Sequence, residues 1–140
     1  MKTRKSISAL GSSGALALVL ALALQSTAAM ARVADLYEAP RVLSTSATPL
    51  EGVQMRDRIV RGGQALGWAV TLEAPGVVEL TYDKNGKHQV TVAVRYDTAG
   101  YEVTYVRSFN LNYAEVDGVR KIHPNYNRWI LNLIKSIGPV

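Results

Sequence analysis

The chain of 140 residues contains no cysteine. That absence excludes a disulfide framework, a thiolate metal site and a thiol nucleophile. It also excludes a lipid carried on a cysteine at a processed N-terminus, so the processed chain is expected to be soluble and to rely on its core alone. Histidine is almost as scarce. His88 and His123 are the only two, and neither stands in an HxH or HxxxH metal spacing. A His/His/carboxylate site could be assembled only in space, with Asp83 or Asp97 as the acid, and nothing in the spacing points to it.

The catalytic signatures are missing as well. There is no GxSxG elbow, no SxxK and no phosphate-cradling loop between a strand and a helix. The glycines of "IVRGGQALG" fall inside a helical pattern. The acids are scattered, without the flanking pair that glycoside hydrolysis requires. The expectation is a protein with no catalytic activity, no metal and no cofactor.

Long apolar runs are absent too. The longest uninterrupted one, Ala15 to Leu24, has ten residues, short of the ~20 that cross a bilayer. What surrounds it is informative. Lys2, Arg4 and Lys5 precede it, and Ala29-Met30-Ala31 follows with the small-x-small form that a signal peptidase reads. This is the grammar of a secretory signal peptide, with cleavage after about Ala31 and a periplasmic destination. Removing it takes away three of the sixteen basic residues and none of the eleven acids, leaving thirteen against eleven, a net charge of +2. No basic tract then remains to bind nucleic acid or an anionic membrane surface, and no membrane span is expected after cleavage.

Residues 32–140 suit one domain. Residues 32–48 lack a sustained period and read as an extended arm or linker. The single domain is expected over 49–140. Thr48 and Glu51 have the spacing of a capping box, with Pro49 at the first helical position. Met55, Ile59 and Leu66 follow at a helical period with Val60 beside them. Gly62 and Gly63 weaken that helix or allow close packing on a sheet, and Gly67 ends it.

From Trp68 the period falls to two. Trp68, Val70 and Leu72 share a face, as do Val78, Leu80 and Tyr82. Asn85-Gly86 marks a hairpin. Val90, Val92, Val94 and Tyr96 then alternate with Gln89, Thr91, Ala93 and Arg95, and Tyr101, Val103 and Tyr105 continue the pattern. The expected fold class is α+β: a four-stranded antiparallel meander sheet with one helix before it and one after, in two layers. Residues 68–73 and 101–107 would be the sheet edges.

The closing helix is the most legible element. Tyr126, Trp129, Ile130, Leu133, Ile134 and Ile137 form an apolar stripe, Pro124 suits the first turn, His123 or a neighbour is the cap, and Gly138-Pro139 stops it. The aromatics of that stripe fit a core better than a cofactor box. A polar surplus remains around the start of the helix: Ser108, Asn110, Asn112 and Tyr113 from "SFNLNY", and His123, Asn125, Tyr126 and Asn127 from "IHPNYNRWI". Local caps and turns explain such residues. A patch for a ligand or a partner would use the same ones.

The run "VTVAVRYD…YEVTYVRSFNLNY…IHPNYNRWILNLIKSI" resembles a family of small, uncharacterised exported proteins of Gram-negative bacteria, many of them lipoprotein-like. Its members pair a helix ending in a Gly-Trp step, here Gly67-Trp68, with a tyrosine-rich strand, an "SxNLxY" segment and a closing "IHxxYNxW…NL" helix. The resemblance spans about residues 49–137. It implies an envelope location and a fold, and no particular activity. Two functional expectations follow. One is a periplasmic accessory protein that contacts another envelope protein, for which an open strand edge is suited. The other is a binding module for a small ligand, a glycan or peptide fragment, through the patch near His123.

Overall fold

The computed structural model describes residues 32–140, and the segment read as an extended arm or linker is built into the fold, with Leu36 in the core and Tyr37 packed against it. Its strands β1 (Ala34–Asp35) and β2 (Val42–Leu43) each join a sheet. The expected signal peptide and its cleavage point lie outside the described residues. After the arm come helix α1 (Gly52–Gln64) and four strands: β3 (Ala69–Ala74), β4 (Val77–Lys84), β5 (His88–Asp97) and β6 (Gly100–Phe109). A short hairpin of β7 (Ala114–Val116) and β8 (Val119–Ile122) then leads into helix α2 (Pro124–Ile137).

The class is α+β and every strand pairing is antiparallel. The expected single four-stranded sheet is replaced by two. The main sheet has five strands in the order β2-β6-β5-β4-β3, and a second has three in the order β1-β8-β7. The meander β3 to β6 is therefore present, with β2 added beside β6. Gly100 makes that addition possible, because a Cβ there would lie 2.0 Å from the Val42 carbonyl oxygen. The β7–β8 hairpin went unpredicted although its signal is in the chain. Asp117-Gly118 separates Val116 from its partner Val119, and both turn residues have positive φ, 52° and 75°. That is the two-residue turn whose twist matches the flanking strands.

Both helices cover one face of the main sheet. Leu80, Val92 and Tyr105 align across β4, β5 and β6 on that face. Trp129 and Tyr126 of α2 meet Tyr82 and Tyr105 there, and Met55 and Ile59 of α1 are fully buried. The opposite face carries a ladder of hydroxyls, Thr71 to Thr81 at 3.1 Å and Thr81 to Thr91 at 2.8 Å, with Arg95, Thr104 and Arg107 exposed beside it. Alternation along β3 breaks at a bulge between Val70 and Leu72. The extra residue turns Leu72 onto the outer face opposite Glu79, so Leu72 is 45% exposed instead of sharing the face of Trp68.

Helix α1 starts three residues later than expected. Ser46 and Thr48 close a local turn instead, the Ser46 hydroxyl donating to the Thr48 carbonyl at 2.8 Å and accepting from its N–H at 3.2 Å. The box moves to Glu51 and Gln54, whose side-chain oxygen accepts the Glu51 N–H at 3.0 Å. At the other end Leu66 falls beyond the helix and is exposed, not buried.

The two glycines inside α1 are contact points. A Cβ on Gly62 would stand 2.8 Å from the Ile137 Cα of α2, and one on Gly63 would stand 2.8 Å from Leu80 on the sheet. Ser136 of α2 donates to the Gly62 carbonyl at 2.7 Å across the same contact. Farther along, the Tyr101 hydroxyl donates to the carbonyls of Ile134 and Gly138 at 3.3 and 3.1 Å, and so ties β6 to the end of α2, where the Ile134 carbonyl also accepts the Gly138 N–H. Burial pushes the Tyr101 phenol up to about 12 and raises that of Tyr126 as well.

Two stability outcomes are expected from this packing. Gly62→Ala should cost about 1–3 kcal/mol, because the obstacle is backbone and cannot swing aside. Gly52→Ala, where nothing lies within 4 Å, should cost nothing and gain up to roughly 1 kcal/mol from helix propensity. Urea unfolding of the pair measures both. The tyrosines set an alkaline limit. A phenol with a raised folded pKa contributes stability that is complete below the unfolded value near 10 and is lost as pH rises through the folded value. Tyr101→Phe should lower stability at pH 7 by about 1 kcal/mol and flatten the fall between about pH 10 and 12, leaving the part due to Tyr126.

Candidate functional site

The polar residues before α2 do connected structural work. Strand β6 ends at Phe109, and Asn110 and Asn112 take positive φ, 55° and 52°, on either side of the buried Leu111. The chain thereby reverses so that the Leu111 carbonyl accepts the His123 N–H at 2.7 Å. Asn110 ties this bend to the β4–β5 hairpin: its side-chain amide donates to the Lys87 carbonyl, and its own carbonyl accepts from His88 Nδ1, both at 2.7 Å. His123 is the cap of α2, its Nδ1 accepting the Asn125 N–H at 3.1 Å. Asn127 pins the arm to α2, accepting from the Tyr37 N–H at 2.9 Å and donating to the Asp35 carbonyl at 2.8 Å.

The aromatic members pack together. Tyr105 stacks on Tyr113 with centroids 4.5 Å apart and meets the edge of Tyr126 at 5.9 Å, and its hydroxyl lies 3.0 Å from that of Ser108. Tyr126 is only 1% exposed and belongs to the core. It presents no surface to a ligand. Of the eight residues singled out in the sequence, Asn110, Asn112 and Tyr113 are exposed, and Ser108, His123, Asn125 and Asn127 are partly covered.

The fold also brings together what the sequence keeps apart. The rings of His88 and His123 lie 6.2 Å apart. Their bonds assign opposite roles to the nitrogens. His88 Nδ1 faces a carbonyl and must carry a proton, whereas His123 Nδ1 faces an N–H and must not. The second nitrogen of His123 is then protonated, so ligation of a cation there would require giving up the cap. Among the described residues no three His, Asp or Glu side chains gather as a metal cluster. Asp97 sits at the far end of β5 from His88. There the Ala99 N–H and Arg41 hold its carboxyl below the usual range, against the opposing effect of burial. Asp83 is used locally, accepting the Gly86 N–H at 2.6 Å.

A better-formed hollow lies on the other flank of α2. Trp68, Tyr82 and Trp129 run in series, with centroids 5.4 Å and 4.9 Å apart. Together with Leu66, Arg128 and Asn132 they enclose a cleft of about 230 Å³. The C-terminus of α1 aims Trp68 into it. The Trp68 N–H bonds back to the Gly63 carbonyl and the Gly67 N–H to that of Gln64, both at 3.0 Å, and Gly67 has φ 83°. That is a Schellman closure, with the tryptophan as the apolar residue just past the glycine. These rings read as core from spacing alone. Helical and strand periods cannot show that Trp129 and Tyr82 stop half-buried at the rim. A larger hollow of about 440 Å³ lies beside Val53, Arg56, Glu73 and Tyr96. Its guanidinium is already taken by Glu73 at 2.6 Å and Asp57 at 2.7 Å, which raises the Arg56 pKa.

Comparison of the chain with protein-family models, with curated proteins and with solved structures finds no match.

The capping role of His123 has a direct check. His123→Ala should lower stability by about 0.5–2 kcal/mol, and His123→Asn, which keeps an acceptor at the cap, should recover most of it. Thermal melts of the two variants decide the point. Equal losses would mean that the ring matters for something other than the Asn125 N–H.

Proposed function

We propose that the chain is a small, non-catalytic accessory protein of the bacterial cell envelope, exported by way of residues 1–31, that acts in the periplasm by pairing a strand edge with another envelope protein. The observation that carries this reading is the free edge of β6. Strand β2 pairs with β6 only through Val42 with Tyr101 and Leu43 with Gly100. Beyond them Glu102 to Phe109 have β5 on one side and, among the described residues, no strand on the other. Main-chain donors and acceptors on such an edge bind an added strand, and neighbouring side chains select it. Here two of the neighbours are exposed and apolar, Val106 at 37% and Phe109 at 65%, beside the exposed polar Thr104 and Arg107.

The opposite edge, β3, is less suited. Both edges carry a bulge, but on β3 Glu73 is also held by Arg56 at 2.6 Å. Export and envelope location rest on the signal grammar of the first 31 residues and on the resemblance to small exported proteins. No described helix is long and apolar enough to cross a membrane. A non-catalytic role is supported by the duties of both histidines, which bond the bend and the helix cap. A ligand-binding role at the His123 segment has weaker support, because Tyr126 is buried and Asn110 and Asn127 spend their amides on the backbone.

The test is photo-cross-linking in intact cells, with a photoreactive residue placed at Val106 on β6 or, as control, at Leu72 on β3. Reproducible capture of one envelope protein from Val106 and not from Leu72 is expected. Capture from Leu72 alone, or of the protein itself and nothing else, overturns the reading.

A further inference from the structure

We propose that the cleft between Trp68, Tyr82 and Trp129 binds the free C-terminal end of a peptide whose last residue is apolar. This goes beyond the strand-edge reading and does not depend on it, since the cleft lies toward β3 and β4, away from β6.

The size and the walls define the first part of the ligand. A volume of about 230 Å³ bounded by Leu66, Trp68, Tyr82 and Trp129 accepts one side chain or one ring and favours an apolar one. The rim defines the rest. Arg128 and Asn132 stand one helical turn apart on the exposed side of α2 and both line the cleft. Among the described residues Arg128, like Arg58, Arg61 and Arg95, has no carboxylate within ion-pair distance, and of these it is the one that lines this cleft. No acidic side chain lines the cleft either. An unpaired guanidinium beside aromatic walls calls for an anion attached to an apolar group, and its planar fork matches a carboxylate. The Asn132 amide is then placed to bond the adjoining peptide group.

An acidic sugar offers the same carboxylate and a ring that stacks on tryptophan. It also brings hydroxyls around its perimeter, and each one buried without a partner is costly. Of the walls, Leu66 offers no polar group and Trp68 and Trp129 one indole N–H each, few partners for a ring of hydroxyls. The apolar peptide end leaves no such group unpaired.

The full chain is titrated with N-acetyl-alanyl-leucine as the free acid, with the same dipeptide as its amide, and with galacturonate. Tryptophan fluorescence and the side-chain NMR signals of Trp129 and Asn132 report binding. The free acid is expected to shift these signals, and the amide to bind at least about tenfold more weakly, the loss of one charge-assisted contact. Arg128→Gln, a change at an exposed side chain, should erase that preference without moving the melting temperature. Equal affinity for acid and amide overturns the proposal, as does a preference that survives Arg128→Gln. Saturable binding of galacturonate in place of the dipeptide would reassign the cleft to acidic sugars. No shift up to the solubility limit of the dipeptide would remove the site altogether.

Discussion

The arrangement of this domain depends on how closely α1 can lie against its two neighbours. Gly62 lets the helix touch the backbone of α2 at Ile137, and Gly63 lets it touch Leu80 on the sheet. Each glycine costs helix propensity, up to about 1 kcal/mol relative to alanine. The return is that both helices fit on the same face of a five-stranded sheet. Interiors packed at crystal-like density tolerate no gap of a methyl's width between layers, so a wider spacing here would leave Met55 and Ile59 without contacts. Putting both helices on one face leaves the other face of the sheet to solvent. That division of the molecule decides where binding can occur.

Open sheet edges are hazardous, since they recruit other strands. Both long edges of the main sheet are irregular, with a bulge near Thr71 on β3 and another opposite Thr91–Val92 on β6. Beyond its bulge β3 is further closed by the Arg56–Glu73 pair, while β6 keeps Val106 and Phe109 exposed. The asymmetry is one of degree: β6 also carries the exposed Arg107, but its apolar Val106 and Phe109 stay open. Under the proposed strand pairing, its bulge would favour a partner strand that matches it over a flat one.

Much of this was legible in the chain. The α2 stripe from Tyr126 to Ile137, the meander and the stop at Gly67 follow from periods of 3.6 and 2 and from the chemistry of glycine. The differences have separate causes. Residues 32–48 have no period because β1 and β2 hold only two residues each, too few for alternation to register, and they are strands only because β8 and β6 offer them partners. Leu72 moved to the outer face because one bulge reverses every side chain beyond it. The capping box at Thr48 failed to a rival three residues on, a competition that local spacing cannot decide. Asp117-Gly118 carries the same turn signal as Asn85-Gly86, but the strands it joins are short, with three and four residues.

The site residues show the same limit from the other direction. Spacing draws attention to the density of polar groups between Ser108 and Asn127, but density does not say whether a polar group is spare. Asn110, His123 and Asn127 bond main-chain atoms from three different parts of the chain, joining the β4–β5 hairpin, the α2 cap and the arm into one corner. Side chains already spent on main-chain partners have little left with which to bind a ligand. Across α2, Arg128 and Asn132 have no such duty and stand beside half-buried rings. Helix α2 thus spends His123 and Asn127 at its start, and Ser136 near its end, on holding the fold. Arg128 and Asn132 stand between them, on the flank that faces Trp68.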